Sequence, residues 1–379
     1  MASQSELSLN FLKCRFKHRR SSFVLLMLTS FLLAGFVFHE FGQLDGGLMN
    51  EGSAFRLAAS RLFVNEVPCD ASCKWLREQL ARKEQVSATC NAYTNTTIGQ
   101  RLKHKLNTKS LQRLGHLLVL DSHKLMYCYI PKVGCTNWKR ILLVLKGVYN
   151  DTKLIGQSQS HTLTSKFIKP LSSYSLEEAT ERLENYTKFV FVRHPLERIL
   201  SGFRDKFQKN YGSSTIFRKN FGPKIASYGS TKKVPLRPDG TLNVTFGQFV
   251  RYIGDSKNIF SNDGPTEHWS DMYKMCQPCM INYDIIGKFS SLHEDANFTL
   301  QAAGMDGKVS YPQSTNPTNS SDEAHITSYF SDLPPDDIRA LLARYVIDMD
   351  LFGFSVPRSL KAMLANGTDG LTPNRTPDM

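Results

Sequence analysis

The segment Leu125-Met-Tyr-Cys-Tyr-Ile-Pro-Lys-Val-Gly-Cys-Thr-Asn-Trp-Lys-Arg-Ile-Leu-Leu-Val-Leu145 restricts the fold of this 379-residue chain more than any other. Leu125 to Ile130 is a short apolar and aromatic run of the kind a buried strand requires. Trp138 to Leu145 reads as a helix capped by Asn137 or Thr136. The turn between them holds Pro131, Lys132, Gly134 and Thr136. A strand, a tight turn and a helix N-terminus in succession make an anion site: free backbone N–H groups and the helix dipole face the ligand, and the lysine adds a point charge. The loop is not that of nucleotide triphosphatases, because Gly-x-x-x-x-Gly-Lys-Ser/Thr is absent.

A second such unit follows. Ser175-Leu-Glu-Glu178 has the form of a capping box, and Leu176, Ala179, Leu183 and Tyr186 lie on one helical face. Lys188-Phe-Val-Phe-Val-Arg193 reads as a fully buried strand ending in arginine. After Pro195, the stretch Leu196 to Phe207 is an amphipathic helix with Ile199, Leu200, Phe203 and Phe207 inward. Ser201 follows Arg193 by eight residues, about two helical turns, so a guanidinium fork and a hydroxyl can converge on one phosphate. Two phosphate sites on adjacent strand ends imply a ligand with two separated phosphates.

The N-terminus sets the compartment. Ser21 to Phe38 runs eighteen residues without a charge, after Lys13, Arg15, Lys17, Arg19 and Arg20 and before Glu40. This predicts a single type II signal-anchor with a cytosolic tail, in preference to a cleavable signal peptide whose one candidate cut lies at Ala34-Gly35. One such segment excludes a multispanning channel. A lumenal placement gives meaning to the glycosylation acceptors at Asn95, Asn150, Asn185, Asn243, Asn297, Asn319, Asn366 and Asn374. It also permits disulfides among the seven cysteines beyond Cys14, of which an odd one is left over. Cys69, Cys73 and Cys90 are expected to staple a stem, and Cys276-Gln-Pro-Cys279 is expected to close a structural disulfide.

With 41% hydrophobic and 21% charged residues, Gly 24 and Pro 16, collagen-like, coiled-coil and wholly disordered structures are excluded. The chain carries 47 basic and 34 acidic side chains. Without the first forty residues, which hold five basic and two acidic ones, the balance is 42 against 32, or +10. In a lumenal protein that excess suits an acidic glycan or a phosphate-bearing cofactor, not a nucleic acid.

Pro131-Lys-Val-Gly-Cys-Thr-Asn-Trp-Lys-Arg140 and Phe191-Val-Arg-His-Pro-Leu-Glu-Arg-Ile-Leu-Ser-Gly-Phe-Arg-Asp-Lys-Phe207 resemble the two cofactor motifs of sulfotransferases. The resemblance is to the Golgi carbohydrate sulfotransferases that include the chondroitin and dermatan 4-O-, the GalNAc 4-O- and the natural-killer-epitope glucuronyl 3-O-sulfotransferases. It continues through Glu267-His-Trp269, Cys276 to Cys279, Tyr283 to Phe289 and Leu351-Phe-Gly-Phe354, and covers roughly residues 125 to 357. It implies an α/β sulfotransferase fold, a parallel sheet with flanking helices, and the cofactor 3′-phosphoadenosine 5′-phosphosulfate without a metal. Pro131, Lys132, Val133, Gly134, Cys135, Thr136, Asn137 and Trp138 would surround the phosphosulfate, and Arg193 and Ser201 the 3′-phosphate. His194 stands where many relatives carry an acidic residue.

On this reading the chain divides into a tail at 1–20, an anchor at 21–38, a stem at 39–115, a catalytic domain at 116–360 and a C-terminal tail at 361–379. Its partners would be an acidic glycan or glycosaminoglycan and the Golgi membrane, with a homodimer as an open option. Lys132 is placed to neutralise charge on the leaving phosphate. The base for the acceptor hydroxyl is expected at His161, between the two motifs, with His268 second. Two other classes compete with this reading. Asp348-Met-Asp350 is the doublet of metal-dependent glycosyltransferases, and a non-catalytic glycan-binding protein would keep the same cleft.

Overall fold

The computed structural model describes residues 70–96, 105–209, 212–229, 234–258, 264–313 and 321–365. The uncharged run at 21–38, Cys69 and the acceptors Asn319, Asn366 and Asn374 lie outside the described residues. Among the described residues no helix is long and apolar enough to cross a membrane. The chain divides into two units, Met1–Arg77 and Glu78–Met379. The described part of the first is the opening of helix α1 (Ala71–Ala92), where the Asp70 carboxylate accepts from the Cys73 amide at 2.8 Å.

The second unit is built on a four-stranded sheet whose spatial order is its sequence order. β1 (Leu117–Leu120) and β2 (Leu125–Cys128) lead to helices α2 (Cys135–Leu145), α3 (Gln157–Phe167) and α4 (Leu176–Asn185). β3 (Thr187–Val192) is followed by α5 (Pro195–Phe203), α6 (Gly212–Ala226), α7 (Phe246–Gly254) and the short α8 (Met272–Cys276). β4 (Ile285–Lys288), α9 (Leu292–Ala302), α10 (Pro335–Arg344) and α11 (Val346–Phe352) come after them. β2, β3 and β4 run parallel, as predicted.

The sheet is nevertheless mixed, because β1 pairs antiparallel with β2. Only four residues separate these strands, turned by Lys124 at φ 45°. A link that short makes a hairpin, whereas a parallel pair needs a crossover of a dozen residues or more. All four strands are buried along almost their whole length, and Trp138 of α2 packs its ring 4.7 Å from Phe189 and 5.1 Å from Phe191. Gly287 on β4 lies so close to the Phe191 ring that a Cβ there would collide with it.

The amphipathic helix after β3 buries Ile199, Leu200, Phe203 and Phe207 as its periodicity predicts, in a cluster with Phe249 and Trp269. It does not stay α-helical to Phe207. From Arg204 to Gln208 it widens into a π turn, a feature that re-aims side chains within a helix. The capping box of α4 forms as expected, Ser175 Oγ accepting from the Glu178 amide and Glu178 from the Ser175 amide.

Cys276 and Cys279 do not pair with each other. Cys276 bonds to Cys128 on β2, and Cys279 to Cys90 on α1. Gln277, at φ 46°, ends α8, and the two cysteines leave that turn toward different elements. Cys90 therefore joins α1 to the turn after α8, Cys73 is also disulfide-bonded, and Cys135 is free and buried. The same helix shields an edge of the sheet: Gln79 accepts from the Ile286 amide at 2.8 Å, and Arg82 donates to the Ile286 carbonyl at 2.8 Å and to Asp295 at 2.9 Å. Side chains here satisfy backbone groups that an open edge strand would present to other chains. Asn95, Asn150, Asn185, Asn243 and Asn297 are all exposed.

Candidate functional site

Parallel strands β2 and β3 deliver their C-terminal ends to one edge of the sheet, where open α/β folds bind ligands. After β2 the chain turns through Lys132 at φ 71° and Gly134 at φ 76°. Such left-handed residues make successive N–H groups converge on a concavity suited to an anion. Gly134 is required twice over, since a Cβ would be strained at that φ and would collide with the Tyr311 hydroxyl. It is also the N-cap of α2, so the helix starts at Cys135, ahead of the caps predicted at Thr136 or Asn137. Asn137 instead braces the helix, donating to the Pro312 carbonyl at 3.0 Å and accepting from Arg140 at 2.9 Å. No side chain caps α2, which leaves its first turn open to a ligand.

Three cations gather at this loop. Lys132 Nζ lies 3.1 Å from Asp205 Oδ2, and Lys206 Nζ lies 3.1 Å from the same oxygen. Burial pushes the Lys132 ammonium below its ordinary pKa while Asp205 holds it up. Burial opposes ionisation of Asp205, but the two lysines keep its carboxyl below the usual range. Arg193, 3% exposed, donates to the Lys132 carbonyl at 3.1 Å and to Ser321 at 2.8 Å, and pairs with Glu197 at 3.2 Å. Burial lowers its pKa to about 10, with Glu197 acting against that shift. Ser201 is buried on α5. Arg198, fully buried, donates to the carbonyls of Pro131, Ser270 and Glu267 and so fixes the loop to the segment that carries His268.

Both expected histidines border this cluster. His161, exposed on α3, has Nε2 3.3 Å from Thr136 Oγ1 and Nδ1 3.2 Å from Lys139 Nζ. Desolvation of its ring nitrogens, then Lys139, Lys206 and Arg140, press its pKa down to about 4. His268 has its Nδ1 buried without a hydrogen-bond partner and its ring edge-on to Phe217 at 5.1 Å. Burial, followed by Lys206, Lys132 and Arg198, holds it well below the ordinary histidine value. Both imidazoles are neutral near pH 7.

Of the expected cofactor residues, Lys132, Gly134, Thr136 and Asn137 are partly open, whereas Pro131, Val133, Cys135 and Trp138 are buried. Trp138 in particular is a core side chain, packed on Tyr127, Phe189, Phe191 and Tyr311. Burial pushes the Cys135 thiol up, so it stays protonated. His194 caps α5, accepting from the Leu196 amide, and its Nε2 lies 3.0 Å from the Ser355 carbonyl. Sequence reasoning missed Lys139, Glu197, Arg198, Asp205, Lys206 and Ser321. Asp205 and Lys206 lie within the second motif, but a regular α-helical period does not reveal the π turn that carries them.

The competing doublet has structural work. Asp348 is fully buried, and its two oxygens accept from the Met272 and Tyr273 amides at 2.7 and 2.8 Å. Asp350 accepts from the Tyr93 hydroxyl at 2.6 Å. Among the described residues no three His, Cys, Asp or Glu side chains stand together as a metal site.

The sulfotransferase family matches residues 115–355. The chain is 37% identical to mouse carbohydrate sulfotransferase 11 over 286 residues, covering 74% of this chain and 77% of that protein. It is 34% identical to chicken carbohydrate sulfotransferase 10, over 74% of this chain and 77% of the relative. Human carbohydrate sulfotransferase 9 is 32% identical over 75% of this chain and 62% of its own length. No solved structure matches the chain.

Proposed function

Since the chain belongs to the sulfotransferase family, we propose that this carbohydrate sulfotransferase moves a sulfo group from 3′-phosphoadenosine 5′-phosphosulfate to position 4 of N-acetylgalactosamine in chondroitin, dermatan or a related glycan. The observation that carries the reading is the convergence of an uncapped helix N-terminus, two left-handed residues and the cations Lys132, Lys206 and Arg193 at one sheet edge. The chemistry of the donor set suits a doubly phosphorylated nucleotide: backbone N–H groups, a hydroxyl and Lys132 for one phosphate, and, as the resemblance implies, Arg193 with Ser201 for the other. Bound there, the cofactor would supply an activated sulfo group on a phosphate leaving group.

The residues of the chain bind, orient and hold protons. Lys132 is half-buried and anchored by Asp205, so its charge is in place before reaction and costs no reorganisation. The acceptor hydroxyl gives up its proton as the new O–S bond forms and the old S–O bond breaks. A neutral imidazole can take such a proton, and His161 and His268 are the two at hand.

The two described disulfides and the five exposed glycosylation acceptors support a secretory compartment, and the run at 21–38 supports a type II Golgi anchor. On this reading residues 1–20 face the cytosol, a stem follows the anchor, and the catalytic domain is lumenal. An excess of ten positive charges beyond residue 40 supports an acidic polymer as acceptor.

The test uses the full-length protein in detergent, sulfur-labelled donor and a panel of desulfated chondroitin, dermatan, heparosan and a glucuronyl-lactosamine glycan. Label in chondroitin or dermatan, absent with Lys132→Ala, is the expected result. Label in the glucuronyl glycan alone would replace the acceptor by glucuronic acid and the position by 3-O. Failure to bind the donor would refute the proposal.

A further inference from the structure

Thr136, His161 and Lys139 form a chain of hydrogen bonds whose direction chemistry dictates. Thr136 and Lys139 stand three residues apart on α2, and His161 of α3 spans them, Nδ1 at 3.2 Å from Lys139 Nζ and Nε2 at 3.3 Å from Thr136 Oγ1. An ammonium has three donors and no acceptor, so Nδ1 must offer its lone pair. A neutral imidazole has a single ring lone pair, so its N–H sits on Nε2 and donates to Thr136 Oγ1. The hydroxyl hydrogen of Thr136 then points away from His161. Lys139 is held for this task, buried and with its ammonium 3.9 Å from the centroid of the Tyr129 ring.

Thr136 is the second residue of α2, in the turn that no side chain caps. We infer that Lys139 and His161 are positioning residues that aim the Thr136 hydroxyl, as a donor, at the anion held by the loop after β2. The inference rests on reading that loop as the phosphosulfate site. It also changes the role of His161. With its lone pair bound to Lys139 it takes no proton from an acceptor sugar, and it acts on anion affinity instead. Its surroundings agree: desolvation first, then Lys139, Lys206 and Arg140 against Asp205, keep the ring neutral.

The experiment uses the full-length protein in detergent and adenosine 3′,5′-bisphosphate as the probe, with binding followed by calorimetry. Removing a positive charge weakens anion binding whether or not the chain of bonds exists, so the double variant decides. Thr136→Val should weaken binding about tenfold. Lys139→Met should weaken it at least as much alone, and about tenfold less when Thr136 is already Val, a coupling that independent sites lack. Strictly additive losses overturn the inference. A second measurement needs no folded binding variant: histidine 15N spectra of the wild type, with His161 assigned by its loss in His161→Gln, should show the neutral Nε2–H tautomer. An Nδ1–H tautomer overturns the inference. Wild-type protein that neither binds the bisphosphate nor transfers label refutes the sulfotransferase site itself, and the inference falls with it.

Discussion

Asp205 holds two lysines with one oxygen, lying 3.1 Å from Lys132 on the loop after β2 and 3.1 Å from Lys206 beside it on the π turn. This bridge ties the two motifs into one charged centre. Its consequence is a rigidly placed Lys132, and Lys132→Ala should reduce kcat about 100-fold or more, the usual loss when a preorganised charge is removed. Circular dichroism should remain that of the wild type. A kcat within threefold of the wild type would remove Lys132 from the reaction.

Arg193 is expected to hold the 3′-phosphate with its planar fork, now shared among the Lys132 carbonyl, Ser321 and Glu197. Arg193→Lys keeps the charge and loses the fork. Affinity for adenosine 3′,5′-bisphosphate should drop about 30-fold, a fraction of the worth of charged hydrogen bonds. Affinity for adenosine 5′-monophosphate should be unchanged. Equal losses for both nucleotides would show that Arg193 acts elsewhere.

His161 links stability to pH. Its folded pKa of about 4 lies below the ordinary 6.5, so between those values the unfolded chain binds a proton that the folded chain does not. Its contribution is complete above pH 6.5 and is lost as pH falls toward 4. His268, shifted the same way, adds to the slope. Melting temperature should therefore decline from pH 6.5 to 4.5, and His161→Gln should flatten that decline. An unchanged slope in the variant would contradict the assignment.

The disulfide pairing can be read by mass spectrometry of non-reduced peptides. Peptides linking Cys90 to Cys279 and Cys128 to Cys276 are expected. Cys128→Ser should cost about 3 kcal/mol, as is typical when a native bridge is lost. A peptide closed by Cys276 and Cys279 would contradict the structure.

Gly134→Ala places a side chain where φ is 76° and the Tyr311 hydroxyl already sits. The left-handed backbone alone costs about 1–2 kcal/mol, and the collision adds to it. Nucleotide binding should be lost with little change in helix content. Gly240→Ala, at φ 74° with open space around it, is the control for backbone strain without the collision.

The local elements were legible because their causes are local. The apolar run of β3, the capping box of Ser175 and the inward face of Ile199, Leu200, Phe203 and Phe207 each depend on neighbours within a few residues. So do the strand, turn and helix around Lys132 and the strand that ends at Arg193. What tertiary structure decided involves residues far apart in the chain. Nothing near Cys276 says that it meets Cys128, 148 residues away. The order of residues does not reveal that Gln79 and Arg82, in a segment read as stem, satisfy the backbone of β4. The π turn that brings Asp205 to Lys132 and the packing of α3 on α2 that sets His161 between Thr136 and Lys139 are likewise long-range outcomes. The sequence by itself determined the local elements and the charged residues that each of them carries. Burial and distance, which exist only once the sheet is assembled, determined how those residues are paired.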